Sequence, residues 1–156
     1  MDRYRAQEAV YKYSESILKV SFACVKNTSD AEDIAQDVFL ALFLSDKEFE
    51  SEEHLKAWLI RTAINKSKNH LKRAWNSKRV QLPARDAAMA PEDTEVLSAV
   101  LSLEEKYRIP LHLFYYEGYS IKEIAGLLHK KPSTVGSCLA RGREKLKKIL
   151  EGESLG

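Results

Sequence analysis

Two asparagines four residues apart, Asn65 and Asn69, stand among the cations Arg61, Lys66, Lys68, Lys72 and Arg73. A carboxamide offers a donor and an acceptor to a base edge, and Lys and Arg neutralise phosphates, so this set suits contact with a nucleic acid. A second set of donors lies near the end of the chain: Lys131, Ser133, Thr134, Ser137, Cys138, Arg141 and Lys145. Residues 129–150 hold seven cations and one acid, a net of +6, against +2 for the whole chain. A third cluster has the opposite character. Asp33, Gln36 and Asp37 stand beside Phe39, Leu40 and Phe43, and acids next to apolar side chains fit a protein-binding patch as well as burial in a small bundle.

Other chemistries lack their residues. There is no Gly-rich phosphate loop, no zinc-ligand spacing and no nucleophile elbow, and Asp30, Glu32 and Asp33 are explained by helix capping and the helix dipole. No catalytic residue, metal or cofactor is therefore expected. Cys24 and Cys138 lie far apart and show no ligand spacing with the four histidines, which predicts free thiols in a reducing compartment. The first residues, MDRYRAQEAVYKY, contain no apolar signal core, and no run approaches the roughly 18 apolar residues of a membrane span. A cytoplasmic protein without membrane insertion is expected.

The elements that carry these residues all read as helices. Val10, Tyr13, Ile17, Val20 and Cys24 form one apolar stripe, which places Cys24 in the core. Ser29 and Glu32 have capping-box spacing and predict a helix with Ala31, Ile34, Ala35, Val38, Ala41 and Leu42 inward. After a polar, mobile loop from Ser45 to His54, a long helix begins near Leu55, with Leu55, Trp58, Leu59 and Thr62 on one face and the asparagines and cations on its polar surface. Further on, Tyr107, Leu111, Phe114 and Tyr115 are expected to pack a front helix against Ile121, Ile124 and the inward side of the last helix, and Gly118 to stop it. Ser120 and Glu123 form another capping box, leading a helix through Ile121, Ile124, Ala125 and Leu128. His129–Lys131 make a turn, Pro132 opens the last helix, and Val135, Leu139, Gly142, Leu146 and Ile149 are its buried face. The pair is a helix-turn-helix with a basic second helix, a device for reading the major groove.

Charge is strongly patterned along the chain. Residues 30–50 hold seven acids and one lysine, whereas residues 51–81 hold eight cations and two acids. Blocks of opposite sign imply different partners for different faces. The stretch VQLPARDAAMAPED, residues 80–93, has two prolines and no sustained period, and reads as a linker. The expected fold is all-α: two small helical domains, 1–79 and 95–150, joined by a flexible linker at 80–94.

The two units in this order resemble an extracytoplasmic-function sigma factor of the sigma-70 superfamily. Three stretches carry the likeness: DAEDIAQDVFLALF (30–43), HLKAWLIRTAINKSKNHLKR (54–73) and SLEEKYRIPLHLFYYEGYSIKEIAGLLHKKPSTVGSCLARGREKLKK (102–148). By resemblance, the first is the region 2 helix that docks on the clamp helices of the RNA polymerase beta-prime subunit, through Asp33, Gln36, Asp37, Phe39 and Leu40. The second opens and reads the minus-10 promoter element, with Asn65 where the family captures an unstacked base and the 45–54 loop as a wall of that pocket; Arg61, Lys66, Lys68, Asn69, Lys72 and Arg73 are the candidate DNA contacts around it. The third is region 4, which binds the beta flap and reads the minus-35 element, with Thr134, Ser137 and Arg141 matching its recognition helix and Lys131, Ser133, Cys138 and Lys145 completing the candidate set beside them. The resemblance further implies core RNA polymerase, promoter DNA and an anti-sigma factor as partners.

The chain also departs from that pattern. Asn69 stands where an aspartate is common, Gly136 and Cys138 occupy recognition-helix positions that are often basic, and Lys131 replaces the usual serine or asparagine N-cap. A helix-turn-helix regulator with an amino-terminal sensing or dimerisation domain is the competing reading. It accounts for residues 96–150 but gives the acidic helix and the asparagine-bearing basic helix no purpose. A small hydrolase or nuclease has no residues to support it.

Overall fold

Tyr13, Ile17, Val20 and Cys24 are buried at helical spacing on α1 (Arg3–Val25). In the computed structural model, which describes residues 3–76 and 94–152, every regular element among those residues is helical. The chain divides into two compact units, Met1–Arg85 and Asp86–Gly156. The expected linker lies outside the described residues except for its last position, Thr94.

In the first unit the chain reverses over two residues after α1. Lys26 adopts the left-handed conformation (φ 57°), its N–H bonding to the Phe22 carbonyl at 2.8 Å. Asn27 is extended and its Oδ1 accepts from the Asp30 N–H at 2.9 Å, which makes it the N-cap of α2 (Thr28–Leu44). The Ser29–Glu32 capping box is thus not formed. Asparagine caps as well as serine, and the earlier start places Asp30 in the first turn, where the helix dipole favours a negative charge.

The third helix, α3 (Glu52–Asn76), likewise starts three residues before Leu55. Ser51 Oγ accepts from the His54 N–H at 3.0 Å, and Glu52 and Glu53 occupy the positive end of the helix. The Tyr13 hydroxyl donates to Glu52 Oε2 at 2.6 Å, with Lys12 Nζ 3.5 Å from the same oxygen, so the start of α3 is held against α1. Asp30 and His70 meet at 3.1 Å between α2 and α3. These three helices pack pairwise around Ile17, Val20, Val38, Leu42, Leu55, Leu59 and Ile64.

The second unit is built on α7 (Pro132–Leu150), against which α4 (Thr94–Leu101), α5 (Glu105–Leu111) and α6 (Ile121–Leu128) all pack. Buried Arg108 donates from Nη1 to the Leu103 carbonyl at 2.7 Å, tying α5 to the turn after α4. Pro110 sits inside α5, and the chain continues as one π-helical turn, His112–Tyr116, before Gly118 (φ 78°) ends it. That wider turn overturns one expectation. Tyr115 does not pack in the core but is 58% exposed, because a stretch bonded i to i+5 drifts off the 3.6-residue period that aligned it with Leu111. Leu113 is buried there instead.

Between α6 and α7 the expected turn is present. Ser120 Oγ accepts from the Glu123 N–H at 3.1 Å while Glu123 accepts from the Ser120 N–H at 2.9 Å. His129 closes α6 in the left-handed conformation (φ 55°), and Pro132 opens α7. Gly142 allows the crossing of α5 and α7: a Cβ there would lie 2.9 Å from Leu111 Cδ1 and 3.3 Å from Tyr107 Cβ.

Candidate nucleic-acid interface

One side of α3 is buried through Leu55, Leu59, Ala63, Ile64 and Ser67, so the opposite side must face out. At about 100° per residue, Arg61, Asn65, Lys68, Asn69 and Lys72 fall within an arc of about 100° on that outer side. Asn65, Lys68, Asn69 and Lys72 are exposed, and Arg61 is half-buried. Lys66 and Arg73 project from a flank about 80–100° from Asn65 and are not part of the same strip.

The segment before α3 lies over the start of this face. Phe49 is buried, with its ring edge-on to Trp58 at 5.6 Å and to His54 at 5.3 Å between centroids. His54 Nδ1 accepts from the Glu50 N–H at 3.2 Å. The 45–54 loop is therefore anchored by an aromatic cluster. Trp58 lies two turns before Asn65, about 10 Å along the axis, on nearly the same bearing. An amide, cations and an aromatic wall are thus presented together, as recognition of an unstacked base requires.

On α2, Asp33, Gln36 and Asp37 are exposed and Leu40 is 57% exposed. Phe39 is a correction: it is only 8% exposed and belongs to the core. Two residues beyond Asp37, it is turned about 200° away from it. The apolar end of the outer face is instead Leu40, Phe43 and Leu44, the last 76% exposed. Leu44 has the spacing that finds it, since Asp33, Asp37, Leu40 and Leu44 share one stripe.

On α7 the buried face is Val135, Leu139 and Gly142. Thr134, Ser137, Cys138, Arg141 and Lys145 fall together on one flank, with Ser133 at its far edge. Lys131, Ser133, Thr134, Ser137 and Arg141 are exposed, while Cys138 and Lys145 are half-buried. Lys131 makes no side-chain cap, and the Lys145 ammonium sits 5.6 Å from the Tyr107 ring centre. Arg143 points to the other flank and donates to the Tyr115 hydroxyl at 3.0 Å.

Residues 9–77 match sigma-70 region 2, and residues 93–146 match sigma-70 region 4. The chain is 28% identical to the RNA polymerase sigma-H factor of Pseudomonas aeruginosa, covering 91% of this chain and 84% of that one. It is 26% identical to the extracytoplasmic-function (ECF) RNA polymerase sigma factor SigW of Bacillus subtilis, over 88% of this chain and 84% of that one. This chain belongs to the ECF sigma factors. Its fold is also that of the sigma factor RpoE, solved with the anti-sigma factor NepR from Bartonella quintana: the TM-score is 0.79 at 21% identity, over 93% of this chain and 96% of that one.

Within this sigma factor, region 2 covers α1 from residue 9 through α3, and region 4 covers α4 to α7 apart from the end of α7. Each of the three residue clusters therefore sits on its own helix. Among the described residues no helix is long and apolar enough to cross a membrane.

Proposed function

We propose that this sigma factor docks on the clamp helices of core RNA polymerase through the outer face of α2, reads and opens the minus-10 element through α3, and reads the minus-35 element through α7. The observation that carries this is the pairing of faces within one bundle. An acidic and apolar strip (Asp33, Gln36, Asp37, Leu40) lies on α2, and an amide-and-cation strip (Asn65, Asn69, Arg61, Lys68, Lys72) lies on α3. The first has the wrong charge for DNA and suits a protein; the second has the composition of a nucleic-acid contact.

Opening promoter DNA costs unstacking energy of a few kcal/mol per base, which capture of the extruded base offsets. Asn65 supplies base-edge hydrogen bonds, Trp58 and Phe49 form the apolar wall, and Arg61 and Lys68 hold the phosphates. On α7, Arg141, Thr134 and Ser137 contact base edges, and Lys131 and Ser133 hold the backbone at the helix start. The protein performs no catalysis of its own, acts in the cytoplasm, contacts the beta flap through region 4, and is silenced by an anti-sigma factor that covers its polymerase-binding faces.

In vitro transcription with core polymerase across a randomised promoter library tests this reading. Initiation from promoters sharing two spaced elements is the expected result. Tight binding of the chain alone to duplex DNA, with no initiation from any promoter, would replace it with the helix-turn-helix regulator.

A further inference from the structure

Trp75 lies one residue from the end of α3, and its side chain is 84% exposed. An indole left in water is a large apolar surface without a cover, so its surroundings decide what would cover it. Along the chain, its neighbours are of one sign. No acid occurs between Glu53 and Asp86, while that stretch carries nine cations. Lys68 and Lys72, seven and three residues earlier, are exposed on the same side of the helix as Trp75. An aromatic ring beside cations, on a helix whose last twenty-three residues carry no acid of their own, is the composition of a stacking platform for nucleic acid rather than of a contact with a basic or neutral protein.

Its position along α3 makes the assignment more specific. Ten residues separate Trp75 from Asn65, about 15 Å along the helix axis, which corresponds to about four base steps at roughly 3.4 Å each. A duplex that ends beside an opened segment exposes the whole apolar face of its last base pair. We propose that the Trp75 indole stacks on that terminal base pair, holding the edge of the promoter bubble about four steps from the base that Asn65 captures, while Lys68 and Lys72 hold the adjoining phosphates. The inference rests on the proposed minus-10 role of α3.

Holoenzyme reconstituted from the full chain, bound to fork-junction promoter DNA with 2-aminopurine scanned across the junction, tests it. Trp75→Ala should lower fork-junction affinity about ten-fold and restore the fluorescence of 2-aminopurine at one junction position. Trp75→Phe should recover most of both. Affinity for core polymerase should stay unchanged. Stacking releases no counterions, so the salt slope of binding should be unaltered by Trp75→Ala but reduced by about 1 in Lys72→Ala. Wild-type affinity and fluorescence in Trp75→Ala overturn the proposal, as does a loss confined to core binding, which would assign the indole to a protein partner. Asn65→Ala on the same DNA separates the two levels. If it weakens fork-junction binding while Trp75→Ala does not, only the Trp75 role is lost; if neither matters, the minus-10 reading of α3 fails with it.

Discussion

Gly136 and Gly142 lie six residues apart on α7, and a methyl group meets opposite fates at the two positions. A Cβ at Gly136 has nothing within 4 Å, whereas at Gly142 it reaches the buried Leu111 side chain at 2.9 Å and Tyr107 Cβ at 3.3 Å. Helix propensity favours alanine by about 1 kcal/mol at both, while overpacking a filled core costs about 1–3 kcal/mol. Gly136→Ala should therefore raise the melting temperature by several degrees and Gly142→Ala should lower it, as read by calorimetry. A second contrast lies on α2. Phe39→Ala should cost about 3–5 kcal/mol in a urea melt because the ring is buried. Asp37→Arg should leave the melt unchanged and weaken the pull-down of core polymerase. Neighbours two apart on a helix face opposite sides, yet the apolar and acidic residues of this stretch fitted a surface patch as well as a core, and the burial of Phe39 corrects its expected place on the docking face. The anchoring of the 45–54 loop was not legible either, because nothing local in the sequence says that Phe49 turns in to meet Trp58.

At the scale of elements, the start of α6 depends on a reciprocal pair of hydrogen bonds, and its strength should respond to both mutation and pH. Ser120→Ala should cost about 1 kcal/mol. The Ser120 N–H, and then its hydroxyl, hold the Glu123 carboxyl below its ordinary value of 4.5. A carboxylate with a lowered folded-state pKa binds fewer protons folded than unfolded, so its contribution is full above the ordinary value and is lost as pH falls through the folded one. The stability difference between wild type and Glu123→Ala should thus be flat from pH 5 to 8 and shrink below about pH 4.5. Glu52, lowered first by the Tyr13 hydroxyl and then by Lys12, follows the same sign. A gap that widens in acid would exclude the capping account. This box was readable from Ser-x-x-Glu spacing, yet the same spacing at Ser29 misled. Asn27 caps there instead, directly after Lys26, whose left-handed backbone reverses the chain at the end of α1. The π-helical turn was hidden as well: residues 112–116 carry an ordinary apolar pattern, and nothing in their spacing separates bonding from i to i+5 from that of an α-helix.

Each unit of the whole molecule has its own buried core, Ile17, Leu42, Leu55 and Leu59 in one and Leu113, Ile124, Val135 and Leu139 in the other. Each also presents one basic face, on α3 and on α7. The net charge of +2 masks this, because the acids of residues 30–50 offset cations that serve a different surface. Two modest contacts on one chain gain from linkage, since binding of the first holds the second at an effective concentration of about 1 mM. Severing the chain between Arg85 and Asp86 should therefore leave each half helical by circular dichroism. With both halves supplied at micromolar concentration, initiation should fall by about 10²- to 10³-fold. Raising either half toward millimolar should restore it, because mass action then replaces the covalent tether. Undiminished initiation from severed halves at micromolar concentration would mean that region 2 alone selects the promoter and that the basic face of α7 adds nothing to recognition.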